Sequence, residues 1–95
     1  MKMLTKNNSR QDLEKIALDF IMHQQDEFSM KTIIMALRAI CDEDIEMSVI
    51  DEIVFNAFDY CLTEGYIDVF DQFQYMVDPI KQAEYLDNCV ENLEI

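Results

Sequence analysis

The chain contains one glycine, one proline and no tryptophan among its 95 residues. Because tight turns draw heavily on glycine and proline, this scarcity argues against an all-β fold and against long irregular loops. No apolar run approaches the ~20 residues that a membrane-spanning helix needs. Basic residues are also scarce, with 7 Lys and Arg against 20 Asp and Glu. Since 51% of the residues are apolar, the composition predicts one mainly helical domain with a real core.

The shortage of basic residues is confined to one part of the chain. Residues 1–41 hold six basic and five acidic residues, a net charge of +1. Residues 42–95 hold fifteen acidic residues and one basic residue, Lys81, a net charge of −14, and the two parts sum to −13. A potential this negative repels nucleic acid and anionic lipid and attracts basic protein surfaces. We therefore expect a basic protein as partner, with no direct binding to nucleic acid or membrane.

Sequence motifs for catalysis and for cofactor binding are absent. There is no glycine-rich phosphate loop, no paired-cysteine zinc spacing and no Ser–His–Asp arrangement. Asp42, Asp44 and Glu46 resemble the start of a calcium loop. However, Met47 and Ile53 stand where an EF-hand needs glycine and a bidentate glutamate. We expect no enzymatic activity, no metal and no cofactor.

The three cysteines, Cys41, Cys61 and Cys89, are odd in number and widely spaced. Each lies within or beside an apolar helical pattern, which favours buried free thiols in a reducing cytoplasm. The polar residues 1–9 are expected to be flexible. No apolar run follows their basic residues, so we expect no secretory signal.

Apolar residues recur at helical spacing in three successive segments. The first helix is predicted over residues 10–25. The second is predicted to follow an N-cap at Ser29, and the third an N-cap at Ser48 with Asp51 completing a short capping box. Gly65, the single glycine, comes where the end of the third helix needs a residue with positive φ.

The apolar period changes from helical spacing to two after Gly65. Tyr66–Phe70 and Phe73–Val77 both alternate, which predicts a hairpin with its turn at Asp71–Gln72. Asp78–Pro79 is predicted to cap and open a last helix, since proline suits the first helical position. The predicted apolar seam of this helix consists of Ala83, Leu86, Val90 and Leu93.

The third helix runs through Leu62-Thr63-Glu64-Gly65-Tyr66-Ile67 directly into the hairpin. This junction, and the order of three helices, a hairpin wing and a C-terminal helix, resemble winged-helix domains over about residues 10–78. The resemblance implies a mainly α fold with a short β-hairpin. We expect a flexible segment over residues 1–9 and a single winged-helix-like domain over residues 10–95. A four-helix bundle with a short ribbon fits the same order of elements.

The predicted third helix and hairpin depart from DNA-reading winged helices in their charge. Such a domain needs Lys or Arg, because neutralising phosphates supplies most of its affinity. Neither element contains a basic residue. DNA binding through this face is therefore not expected. A residual DNA binder acting through Lys2, Lys6 and Arg10 is a third class, which predicts a gel shift at low salt that we do not expect.

The charge character of the chain resembles that of small acidic proteins of phages and mobile elements that occupy DNA-binding clefts. These include anti-restriction proteins, some anti-CRISPR proteins and uracil-DNA glycosylase inhibitors. The resemblance implies an inhibitor, phage or mobile-element encoded, that mimics nucleic-acid charge. Its partner would be a basic DNA- or RNA-binding protein, such as a defence nuclease, in the host cytoplasm. The predicted partner-binding residues are Asp42, Glu43, Asp44, Glu46, Glu52, Phe55, Asp59, Asp68, Asp71, Glu84, Asp87, Glu91 and Glu94.

Four aromatic residues leave a second interpretation open. Phe55, Tyr60, Phe70 and Phe73 either pack between the hairpin and the third helix or form a surface patch. An aromatic patch with an acidic rim is typical of a protein-binding face. The chain would then be a winged-helix adaptor subunit of a bacterial regulatory complex, without DNA binding of its own. The same patch is compatible with a homodimer.

Overall fold

Four helices and one antiparallel hairpin follow one another in the computed structural model, which describes the backbone of residues 10–93 and the side chains of residues 10–88. This confirms a mainly helical fold with a two-stranded hairpin, in an order that is compatible with a winged helix. The expectation for residues 1–9 lies outside the described part. No described helix is long and apolar enough to cross a membrane. The elements are α1 (Arg10–Met22), α2 (Met30–Ile40), α3 (Met47–Glu64), β1 (Ile67–Asp71), β2 (Gln74–Val77) and α4 (Pro79–Leu93).

The start of α2 is capped as the sequence predicts. The Thr32 N–H donates to Ser29 Oγ at 3.3 Å, and the Ser29 N–H donates to Thr32 Oγ1 at 3.5 Å. The predicted cap of α3 at Ser48 is wrong. The N–H groups of Val49 and Ile50 donate to the Glu46 carbonyl at 3.1 and 3.3 Å. The first turn therefore closes one residue before Met47, without any side-chain cap.

The first helix is shorter than predicted, because it ends at Met22 and not at Gln25. The last carbonyls of a helix have no partner within it and must be satisfied from elsewhere. Gln82 of α4 does this, since its Nε2 donates to the carbonyls of Met22 and Gln24, both at 2.8 Å. A side chain 58 to 60 residues away in sequence thus closes the end of α1.

The side of α4 that faces the domain is more polar than predicted. Of the predicted apolar seam, Ala83 is exposed and Leu86 is half-buried, and the side chains of Val90 and Leu93 lie outside the described set. Gln82 and Tyr85 are half-buried as well. The Tyr85 hydroxyl donates to Asp19 Oδ1 at 3.0 Å. This hydrogen bond adds to the two that Gln82 donates from the same helix. The orientation of α4 is therefore fixed by hydrogen bonds to α1, and Ile80 is left 71% exposed.

The core lies where α1, α2 and α3 pack together. An aromatic cluster extends it to the hairpin: the Phe58 ring lies 5.8 Å from that of Phe28 and 5.0 Å from that of Tyr75. Phe28 also pairs with Tyr75 through both backbone bonds, at 2.9 and 2.7 Å, so the segment between α1 and α2 holds the outer edge of β2. The core residues with no exposed surface are Ala17, Ile21, Met22, Ile33, Leu37, Ile53, Val54 and Cys61.

The hairpin forms where the sequence predicts it, but its turn is shifted. The register pairs Ile67 with Val77 and Asp71 with Gln74, with an irregularity between Val69 and Asp71. A β-bulge places two residues of one strand opposite a single residue of its partner. The extra residue in β1 therefore moves the loop from the predicted Asp71–Gln72 to residues 72–73. Phe73 therefore lies at the hairpin tip, 72% exposed.

Gly65 joins α3 to the hairpin, as the sequence predicts. Its φ is 77°, and the Tyr66 N–H donates to the Cys61 carbonyl at 2.8 Å, which closes the helix end.

We expect Gly65→Ala to lower the free energy of unfolding by about 1–2 kcal/mol, because a side chain disfavours positive φ. No atom lies within 4 Å of the added Cβ, so the cost is purely one of backbone conformation. Urea denaturation measures it, with Gly65→Asn as the milder control. An unchanged midpoint for Gly65→Ala would contradict the prediction.

Candidate protein-binding surface

The exposed face of α3 carries both acidic and aromatic side chains. Glu52, Phe55 and Asp59 recur at helical spacing, and all three are exposed. Glu64 lies exposed near the end of the same helix. The sequence predicts this face because the apolar residues of α3 occupy the opposite side.

The hairpin continues this mixture of carboxylates and aromatic rings. Asp68 and Asp71 are exposed, and Asp71 Oδ1 accepts the Gln72 N–H at 2.7 Å. Phe70 and Phe73 lie beside them in sequence and are exposed as well. We call the exposed residues Phe55, Asp59, Glu64, Asp68, Phe70, Asp71 and Phe73 the α3–hairpin surface.

The aromatic residues whose placement the sequence left open lie at the surface. Phe55 is 60% exposed, Tyr60 48%, Phe70 59% and Phe73 72%. The packing between the hairpin and α3 is supplied instead by the cluster around Phe58. These four side chains are therefore exposed and do not supply the packing between the hairpin and α3.

Two carboxylates of α3 are neutralised by basic residues of the first two helices. Glu52 Oε1 lies 2.9 Å from Arg10 Nη2, and Asp51 Oδ1 lies 3.6 Å from Arg38 Nη2. The hydrogen bond and the charge of Glu52, followed by those of Glu14, raise the pKa of Arg10. Glu52, one of the predicted partner-binding residues, therefore already has an ion-pair partner in the N-terminal stretch that carries the surplus of basic residues.

The carboxylates of the α3–hairpin surface have no such partner. Among the described side chains, no ion pair involves Asp59, Glu64, Asp68 or Asp71. Lys81 forms no ion pair with any described carboxylate, and its Nζ lies 5.8 Å from the centroid of the Tyr66 ring. With respect to the described side chains, this surface therefore presents four carboxylates without an ion-pair partner, on the same elements as exposed aromatic rings.

The predicted loop between α2 and α3 is acidic and exposed in part. Glu43, Asp44 and Glu46 are exposed, while Asp42 is half-buried and its Oδ1 accepts the Asp44 N–H at 3.4 Å. Within residues 10–88, no group of His, Cys, Asp and Glu side chains is arranged to hold a metal ion. The loop remains a predicted part of the binding surface.

The acidic row predicted on α4 is described only in part. Glu84 and Asp87 are exposed on a helix that packs against α1. Glu91 lies in the helix, but its side chain is outside the described set, and Glu94 is outside the described residues. The described part of this acidic row therefore lies on α4, whereas the α3–hairpin surface lies on α3 and the hairpin.

The described cysteines are buried free thiols, as the sequence predicts. Cys41 is 4% exposed and Cys61 has no exposed surface. Burial raises the pKa of the Cys61 thiol to about 12, so it stays protonated and unreactive at neutral pH. Cys89 lies outside the described side chains. Thiol chemistry is therefore no part of this surface.

Sequence reasoning missed several exposed apolar residues. Val69, Met76 and Ile80 are 62%, 38% and 71% exposed. Five of the ten exposed large apolar side chains among the described residues fall within residues 69–80, so the exposure is concentrated at the hairpin and the start of α4. The period-two alternation was a signal for Met76, since it faces away from Ile67 and the core. The alternation gave no signal for the exposure of Val69, since it places Val69 on the same face as the buried Ile67. Val69 is exposed because the hairpin projects beyond the core.

No protein-family model, no curated protein and no solved structure matches this chain. The function is therefore inferred from the surface itself. Its defining property is that α3 and the hairpin carry exposed aromatic rings together with carboxylates that have no ion-pair partner within the described part of the chain.

Proposed function

We propose that the protein is a non-enzymatic, winged-helix-like inhibitor that binds a basic nucleic-acid-binding protein and blocks its cleft. The observation that carries this proposal is the α3–hairpin surface. On a winged helix that reads DNA, the third helix and the wing require basic residues. Here residues 47–77 contain none, and the described carboxylates of this surface have no ion-pair partner.

The winged-helix assignment is supported by how the hairpin is attached. α3 packs against α2 and passes through Gly65 directly into β1. The Phe28–Tyr75 bridge then ties β2 back to the segment between α1 and α2. A free four-helix bundle with an appended ribbon does not need this bridge, so the bridge favours the winged-helix interpretation.

The mimicry of nucleic acid is supported by the spacing and the state of the charges. Neighbours at i and i+3 on a helix lie about 5–6 Å apart. The exposed Glu84 and Asp87 of α4 have this spacing, which suits a row of regularly spaced negative charge. Exposed, unpaired carboxylates attract a basic cleft over long range and accelerate encounter. A phage or mobile element that encodes such a protein gains an inhibitor of a defence nuclease or a similar enzyme.

A second candidate function is favoured by the exposed aromatic residues. Phe55, Phe70 and Phe73 are large anchors of the kind that dominate binding energy at protein interfaces. An adaptor subunit of a regulatory complex would use them as its principal contacts, with the carboxylates serving to steer the partner. The two functions differ in whether nucleic acid competes for the partner.

Competition with duplex DNA tests the proposed function. We expect tagged protein to capture a basic nucleic-acid-binding protein from bacterial lysate and to release it when excess duplex DNA is added. Washing from about 0.1 M to about 1 M salt shortens the Debye length from ~10 Å to ~3 Å, so capture should fall steeply. Mass spectrometry identifies the captured protein and quantifies its release.

Competition by single amino acids or by neutral polymer serves as the control, since neither resembles a phosphate chain. A partner that resists both DNA and high salt would contradict the inhibitor and favour the adaptor. Capture that responds to salt but not to DNA would also contradict the blocking of a nucleic-acid cleft.

A further inference from the structure

A groove lies on the face of the hairpin that points away from the core. Asp68 and Met76 oppose each other in the strand register, and both are exposed while the neighbouring Ile67 is buried. Together with Phe70, Asp78 and Pro79, they line a groove of about 380 Å³ that runs from the hairpin to the start of α4. This volume is near the lower end of ligand pockets, which span roughly 300–1,000 Å³, so the groove accommodates side chains and not a folded domain.

The apolar lining of this groove is unusual for a ribbon face turned towards water. Such faces are normally polar, because the opposite face packs on the core. Here Phe70 is 59%, Val69 62% and Met76 38% exposed, and all three line the groove. Exposed apolar side chains grouped in this way mark a binding site for an apolar group.

The charges at the groove select a basic occupant. Asp68 and Asp78 both line it, and none of its described lining residues is Lys or Arg. Asp78 Oδ1 accepts the Ile80 N–H at 2.9 Å, so the first turn of α4 fixes the orientation of this carboxylate. A second copy of this chain is a poor occupant, because each copy carries a net charge of −13.

We propose that the groove binds a short segment of a partner protein in which an arginine or lysine is flanked by a large apolar side chain. The alkyl stem of the basic residue lies on Phe70 and Met76, while its head group reaches Asp68 or Asp78. The phenyl ring of Phe70 adds a cation–π contact. The flanking apolar side chain covers the remaining surface towards Ile80. This inference rests on the proposed function, since it names the anchor by which a basic protein is held.

Titration of the ¹⁵N-labelled protein with defined peptides tests the groove. The probe is the amidated, acetylated peptide Leu-Arg-Phe-Arg-Leu, with Leu-Glu-Phe-Glu-Leu and Gly-Arg-Gly-Arg-Gly as comparison peptides. We expect saturable amide shifts within residues 67–80 for the first peptide alone. Phe70→Ser should weaken its binding about tenfold or more, the loss expected when an aromatic anchor is removed.

Met35→Ser is the matched control, because Met35 is 58% exposed, like Phe70, but lies on α2, outside both the groove and the α3–hairpin surface. It should leave the affinity for the peptide unchanged. Amide positions in α1, α2 and α3 that stay unaltered away from the substituted residue show that each variant is folded. Equal binding of the glycine-based peptide, shifts spread over all acidic segments, or concentration-dependent dimerisation that perturbs the same amides would overturn the proposal.

The groove and the proposed function fail in different ways. If peptide binding is absent but captured partner is still released by DNA, the groove is not the anchor and the inhibitor stands. If the peptide binds as expected but captured partner ignores DNA, the groove stands and the blocking of a nucleic-acid cleft is wrong.

Discussion

Replacing Asp59 and Asp68 together with lysine is expected to abolish capture of the basic partner. Both residues are exposed and neither has an ion-pair partner among the described side chains, so both charges are available to an approaching cleft. Coupling energies of close charge pairs at a well-studied interface are about 1.5–7 kcal/mol. Two reversals replace attraction with repulsion, and we expect Kd to rise at least about 100-fold, since each 1.4 kcal/mol is tenfold.

The matched control is the pair Asp26→Lys and Glu27→Lys. Both residues are exposed in the connection between α1 and α2 and are not part of the α3–hairpin surface. Each substitution adds +2, so both double variants change the net charge from −13 to −9. An equal loss of capture in the two variants would show that overall charge, and not the α3–hairpin surface, determines binding. The helical circular dichroism signal should be the same in both.

Phe58→Ala is expected to lower the free energy of unfolding by about 3–5 kcal/mol, the usual cost of truncating a buried phenylalanine. Phe58 is 1% exposed and contacts the rings of Phe28 and Tyr75. Its removal leaves a cavity at the point where α3, the hairpin and the Phe28 bridge meet. Since small domains are stable by only about 5–15 kcal/mol, much of the native population should be lost. Urea denaturation followed by circular dichroism measures the change.

Phe55→Ala on the same helix provides the comparison. Phe55 is 60% exposed, so its truncation should change stability by no more than about 0.5 kcal/mol. The same variant should weaken partner capture if the adaptor function is correct. A large loss of stability in both variants would mean that Phe55 packs against the domain and that the patch is smaller than described.

Local features of the fold were predictable because their causes are local. The apolar spacing of the helices, the capping box at Ser29 and the positive φ at Gly65 each depend on residues within a few positions. The change to period two identified the hairpin for the same reason. These signals were sufficient for the order of the elements and for the surface formed by α3.

The features that could not be predicted depend on contacts between distant residues. Gln82 closes the end of α1, and nothing near Met22 indicates that a partner exists. The ion pair of Arg10 with Glu52 joins two helices whose packing angle is not encoded in either. The exposure of Phe70 follows from how far the hairpin extends past the core, which depends on where the core ends. A single sequence carries no direct record of these distances.

The junction at Gly65 has a consequence for the thermodynamics of recognition. Because the Tyr66 N–H bonds to the Cys61 carbonyl, no flexible linker separates α3 from β1. The Phe28 bridge fixes the far edge of the ribbon. Helix and ribbon are therefore preorganised as one rigid template. A partner that engages both does not have to freeze their relative motion, and more of its contact energy is retained as affinity.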